Sequence, residues 1–142
     1  MAKFPADGSS YIEVDDSGGT PRNLSPYVDE IELLGQKVGF LDVTGLSDTA
    51  QRVISGIQLS QDFILRGAFD DQTITGPDAV LTGIVGQIGT VSLGPAGNSP
   101  GQRQISGEFL CLSYQVISRI NHLVKFEAHF KQDDTISLGN WP

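Results

Sequence analysis

A chain of 142 residues with 39% hydrophobic and 18% charged residues suits one folded domain, able to bury roughly two-thirds of its unfolded surface. Nine Lys and Arg against seventeen Asp and Glu leave a formal charge of −8, the wrong sign for a protein that gains affinity by neutralising phosphate or by lying on an anionic membrane. No apolar run approaches the ~20 residues of a membrane span, the N-terminus shows no apolar core of a secretory signal, and the single cysteine, Cys111, has no internal disulfide partner.

Residues 1–9 have little periodicity and read as a loosely held N-terminal arm. Ser10–Val14 alternates and predicts a first strand, which Asp15-Asp-Ser-Gly-Gly19 breaks with strong turn chemistry. Tyr27–Leu34 is the second strand and the most acidic, carrying Asp29, Glu30 and Glu32. Gly35 to Ala50 then holds Val38, Phe40, Leu41 and Val43 with no steady period. A loop of that length with exposed-looking apolar groups is either functional or packed against something. Gln51–Ile57 and Asp62–Asp70 are further strands, the latter with Phe63, Leu65, Gly67 and Phe69 on one parity.

Thr75–Val85 is the one helix candidate. Pro77 suits the first helical position, Asp78 complements the positive end of the dipole, and Ala79, Val80, Leu81 and Ile84 make an apolar face. Gly89–Leu93 reads as a strand and 94–101 as a surface loop. Gln104–Ser118 reads as a strand covered on both faces for part of its length. After a turn at Ser118–Asn121, Val124, Phe126, Ala128 and Phe130 alternate with Lys125, Glu127, His129 and Lys131. Such strict alternation marks a strand with one buried and one wet face and implies antiparallel neighbours. Thr135–Leu138 adds a short final strand. The expected fold is mainly β, an antiparallel sandwich or barrel with one short flanking helix at about 75–85.

Catalytic chemistry is not legible. His122 and His129, seven apart on one expected strand, face opposite ways. There is no nucleophile elbow, no His-Glu-x-x-His and no paired cysteine motif. Gly83-Ile-Val-Gly-Gln-Ile-Gly89 lacks the spacing and the lysine of a phosphate cradle. The acidic pairs Asp15-Asp16, Asp70-Asp71 and Asp133-Asp134 end expected strands and lack calcium-loop spacing, so they read as turn-forming, solvated carboxylates. No catalytic, cofactor or metal residue is assigned, and a non-enzyme is expected.

The order of these elements resembles the tail tube (major tail) proteins of long-tailed bacteriophages and phage-like particles, over about Gly8 to Trp141. Leu41-Asp-Val-Thr-Gly-Leu-Ser-Asp-Thr-Ala-Gln-Arg-Val-Ile-Ser-Gly-Ile57 followed by Phe63-Ile-Leu-Arg-Gly-Ala-Phe-Asp-Asp71 is similar to that family's Thr, Gly-x-x-Asp, basic residue, apolar-x-Gly-apolar turn and Gly-x-Phe-Asp-Asp strand ending. The helix directly afterwards, Ser25-Pro-Tyr-Val-Asp-Glu-Ile-Glu-Leu33 upstream, and Val124–Phe130 before Thr135 to Trp141 fit the same pattern. Gln58-Leu-Ser-Gln61 departs from it where the family often has a more polar turn, and there is no immunoglobulin-like C-terminal extension.

The resemblance implies hexameric rings stacked into a hollow tube through which DNA passes, with no cofactor and no membrane span. It implies contacts with a tip or initiator complex, a terminator, and a tape measure inside the lumen. The expected location is the virion tail, assembled in the bacterial host cytoplasm. Residues 35–50 become an inter-ring stacking loop, with Val38, Phe40, Leu41 and Val43 as its contacts. Asp29, Glu30 and Glu32 become candidates for an acidic lumen, although surface solvation accounts for the same carboxylates and either parity of their strand can face inward. A tail-terminator or neck ring protein is the alternative within the same kind of particle, and a β-sandwich carbohydrate-binding module the alternative from another class.

Overall fold

The computed structural model describes residues 10–32 and 35–142; the expected arm at 1–9 and the end of the second strand at 33–34 lie outside the described residues. Seven strands form one antiparallel sheet: β1 (Tyr11–Asp15), β2 (Pro21–Asn23), β3 (Val28–Glu32), β6 (Asp62–Ala68), β7 (Ile88–Gly94), β8 (Arg103–Ile117) and β9 (Lys125–Asn140). Their order is β2-β1-β7-β8-β9-β6-β3. Two more, β4 (Val38–Asp42) and β5 (Val53–Gln58), pair only with each other. The helix α1 spans Pro77–Ile84.

The two ends of the sheet order, β2 and β3, are joined by residues 24–27 alone, a connection that can span only ~14 Å. The sheet therefore curls until its edges face each other. Leu24 clasps them: its N–H donates to Ile12 O at 3.1 Å, and its carbonyl accepts from Tyr27 and Val28. A groove of about 390 Å³, lined by Tyr11, Ile12, Ser25, Val28, Ile31 and Leu93 among others, remains between β1 and β3. The result is a barrel-like mainly β fold with one short helix, as the alternation predicts.

The concave face holds the core. Phe63 stacks on Phe130 at 4.7 Å and meets Phe109 edge-on at the same distance, with Ile12, Val14, Leu65, Val91, Phe126 and Ala128 around them. Pro77, Val80, Leu81 and Ile84 bury one face of α1, while Ala79 is only half-buried. Gly76 caps the helix and Pro77 opens it. Gly67 is dictated by packing: a Cβ there would lie 2.2 Å from Tyr27 O, where β3 bulges against β6.

Three expectations need correction. Five residues of the 35–50 loop, Val38–Asp42, are strand β4, hidden because a bulge between Val38 and Phe40 destroys its parity. The short strand at Thr135–Leu138 is the continuation of β9. Opposite Ser106–Glu108, β8 advances two residues while β9 advances four, and Asp134 adopts φ 66°; the Asp133-Asp134 pair sits in a bulge within a strand and does not end one. His122 lies in the turn before β9, so the two histidines do not share a strand.

Candidate assembly surface

The β4–β5 hairpin leaves the body just before β6 and is wet on both faces, with only Gly39 and Gln58 half-buried along its strands. A two-stranded ribbon without a covered face is marginal in water, and this one is also apolar. The four predicted residues are all exposed: Val38, Phe40 at 67%, Leu41 and Val43. Sequence reasoning missed their companions. Leu46 at the hairpin tip is wholly exposed, and Val53, Ile54, Ile57 and Leu59 line the returning strand. Residues 51–57 read as a strand with no face assigned to the core, and neither face is buried.

The tip is nevertheless ordered. Asp42 Oδ1 accepts from Thr44 N at 2.9 Å, a bond that together with the Thr44 hydroxyl holds the Asp42 carboxyl below the usual range. Gly45 N donates to Asp48 Oδ2 at 2.7 Å, and Arg52 N donates to the Thr44 hydroxyl. These bonds present Leu46 outward on a fixed turn.

A glutamine cluster ties the hairpin to the barrel. Gln132, only 5% exposed, follows Phe126, Ala128 and Phe130 in the core-facing phase of β9. Its Oε1 accepts from Gln61 N at 3.2 Å, and its Nε2 donates to Gln58 Oε1 at 3.1 Å and to Asp134 O at 2.8 Å. Gln58 Oε1 also accepts from Ile136 N at 2.9 Å, Gln36 Nε2 donates to Ile136 O, and Ser60 Oγ donates to Gln132 O. The bulge in β9 turns Ile136 N and O toward the hairpin base. A buried amide with all these partners fixes one arrangement, whereas an unpaired one would be costly.

The acidic candidates lie on the convex face of β3, among charges from β6 and β9. Arg66 Nη1 reaches Glu30 at 3.1 Å and Glu32 at 2.7 Å, and Nη2 reaches Glu127 at 3.1 Å. Three carboxylates thus share one guanidinium, which holds the Glu32 carboxyl below its ordinary value. Asp29 pairs with Lys125 at 3.0 Å and Asp62 with Lys131 at 3.2 Å. The remaining acidic pairs do local work. Asp16 accepts from Gly18 N, Thr20 N and Arg22 Nε, which lowers its pKa, and Asp70 accepts from Gln72 N. Burial pushes the Cys111 thiol up to about 11. Among the described residues no cluster of three or more His, Cys, Asp or Glu side chains is placed to hold a metal.

The barrel-like body thus carries an apolar ribbon on a fixed anchor, and solved structures similar to it share the whole arrangement of the chain. No family model and no curated protein matches the chain. A chain in the tail of an empty gene transfer agent (GTA) particle, solved with C6 symmetry, superposes at TM-score 0.71 with 15% identity, over 95% of this chain and 98% of that one. One in the sheath/tube terminator of the PVC extracellular contractile injection system gives 0.70 with 11% identity over 98% of each. One in the tube-terminating cap of the anti-feeding prophage gives 0.69 with 6% identity over 99% and 93%. The chain has the phage-like tail tube fold.

Proposed function

We propose that this protein is the repeating structural subunit of a tail tube, with six copies in a ring and rings stacked into a hollow conduit for DNA. The observation that carries the reading is the β4–β5 hairpin, apolar on both faces, anchored at its base and left exposed among the described residues. Burying a Phe or Leu side chain contributes about 1.5–3 kcal/mol, and the hairpin bears several. Val38, Phe40, Leu41 and Val43 form the inter-ring contact, and docking on a neighbouring copy gives the ribbon the cover it lacks. Because this contact joins unlike patches along the tube axis, it can repeat from ring to ring without closing.

Asp29, Glu30 and Glu32 stand on the lumen wall. After pairing, the Arg66 cluster still holds three carboxylates to one guanidinium, a sign that repels phosphate and lets DNA move without sticking. The role is structural and non-catalytic. Its other contacts are the tip or initiator complex, a terminator and a tape measure in the lumen, within a virion tail assembled in the bacterial host cytoplasm.

Negative-stain microscopy of the purified protein, fresh and after concentrated incubation, tests this. Stacked rings or tubes are expected, and Phe40→Asp with Leu41→Asp should leave a folded protein that no longer grows them. A second reading, tube terminator, is favoured by the superpositions on the PVC sheath/tube terminator and the anti-feeding prophage cap. It requires discrete rings that never stack on each other.

A further inference from the structure

An apolar hairpin that joins copies head to tail needs a receiving surface elsewhere on the chain, and the register places one at the far end of the barrel. The hairpin leaves at the Asp62 end of β6, opposite Lys131, while the β8–β9 turn closes at the other end, where Ala68 pairs with Lys125 and Lys125 with Ile117. The length of β6 separates the two ends by roughly 20 Å. At that far end Ile120 and Leu123 are 89% and 67% exposed, and Val116 and Ile117 are also exposed. The turn is closed by His122 N donating to Arg119 O at 3.1 Å and by Asn121 at φ 63°. Ile117, Arg119, His122, Leu123 and Lys125 line a pocket of about 250 Å³.

Charge distinguishes this surface from the other exposed apolar group, Ile74, Val85, Ile88 and Leu112 around α1. No Asp or Glu occurs between Glu108 and Glu127 in a chain that has seventeen, and this stretch carries Arg119 and Lys125. The hairpin tip, 42–52, carries Asp42 and Asp48 against Arg52. The tip is therefore an apolar knob with one net negative charge, and the β8–β9 turn an apolar socket whose rim carries Arg119, with Lys125 paired to Asp29 at 3.0 Å. The α1 group is flanked by Asp70 and Asp71, which share the sign of the knob.

We infer that the β8–β9 turn is the receptor for the hairpin of a second copy of this chain, with Leu46 seated in the pocket lined by Ile117, Arg119, His122, Leu123 and Lys125. This rests on the proposed tube role and adds to it the complementary pole. Knob and socket at opposite ends give an axial contact, in which each copy is engaged twice by different partners.

Disulfide trapping tests it. Leu46 and Leu123 are both exposed, so cysteines there should leave the fold intact, and the buried native thiol of Cys111 is too weakly acidic to compete. After assembly and mild oxidation, the Leu46→Cys/Leu123→Cys double variant should give a ladder of covalent multimers extending well past six copies on a non-reducing gel. An equal mixture of the two single variants should stop at dimers. A double variant that forms tubes yet stays monomeric on the gel would place the receptor elsewhere while leaving the tube reading intact. A ladder ending at six would put the contact within a ring, and dimers from Leu46→Cys alone would make it knob to knob; either overturns the proposal. A wild-type protein that never forms rings or tubes would overturn the tube reading and this inference with it.

Discussion

The barrel and the hairpin are both antiparallel β-structure, and they obey opposite rules. In the barrel a regular strand sends one parity inward: Phe63 and Leu65 on β6, or Phe126, Ala128 and Phe130 on β9, are at most 1% exposed. In the hairpin Phe40 and Leu41, on opposite faces of β4, are 67% and 57% exposed. The same residue types are thus spent on folding in one region and left over for a partner in the other. Stability of the isolated chain should depend on the first set and be nearly blind to the second.

The sharpest way to break the comparison is substitution in both regions. Phe63→Ala removes a ring packed against Phe109 and Phe130 and should cost about 3–5 kcal/mol in urea unfolding. Gly67→Ala should be comparably severe, because its Cβ has no space against Tyr27 O. Phe40→Ala should change unfolding by less than about 0.5 kcal/mol while abolishing tube growth. A large stability loss for Phe40→Ala would mean that the hairpin packs on its own barrel.

Gln132 lies between the two regions. Gln132→Leu keeps the volume and strands the partners of the amide, with an expected loss of about 1–3 kcal/mol. Hydrogen exchange should show the hairpin amides opening before those of β8 and β9. Uniform loosening would instead make Gln132 an ordinary core residue.

Ile74 offers a smaller effect of opposite sign. It is a β-branched residue at φ 73° inside a tight turn closed by Thr75 N donating to Thr73 O at 2.8 Å. Ile74→Gly should raise stability by roughly 1 kcal/mol by relieving the left-handed conformation, and no gain would mean that the turn relaxes without it. The smallest effect is on acid stability. Asp16 and Glu32 have folded pKa values below their ordinary 3.8 and 4.5. The unfolded chain therefore binds more protons in acid, so their contribution is present above those ordinary values and lost as pH falls through the folded ones. Arg66→Met should flatten the fall in melting temperature between about pH 5 and about pH 3, and an unchanged slope would show that the Glu32 pairing contributes nothing.

How much of this was legible follows from which forces act locally. Strands β1, β6 and the first half of β9 were readable because their alternation reports a single buried face, β8 because its apolar residues fall on both parities, and α1 because Pro77 and Asp78 mark its start. Strand β4 was not, since a bulge at Gly39 scrambles the parity that sequence reading relies on. The second half of β9 was hidden by Asp133-Asp134, whose turn chemistry is real but is used for a bulge. At the site, Val38, Phe40, Leu41 and Val43 were recognisable as apolar residues without an assigned place. Leu46 lay in the 35–50 loop without being singled out, and Ile120 in the expected turn at Ser118–Asn121, with Leu123 just beyond it. Their exposure depends on register between distant strands, which no local pattern encodes. The pairing of Glu30 and Glu32 with Arg66 was hidden for the same reason.

The bulge in β9 also has a mechanical consequence. The hairpin is fastened at Gln132 and Ile136, within the longest strand pair of the molecule rather than at a frayed end. Tension applied to the hairpin along the barrel axis enters β9 partway along its ladder with β8, whose hydrogen bonds run across the strands. Those bonds are loaded together in shear instead of being peeled apart one after another. A subunit pulled by its neighbour through this anchor therefore passes the load to many bonds at once.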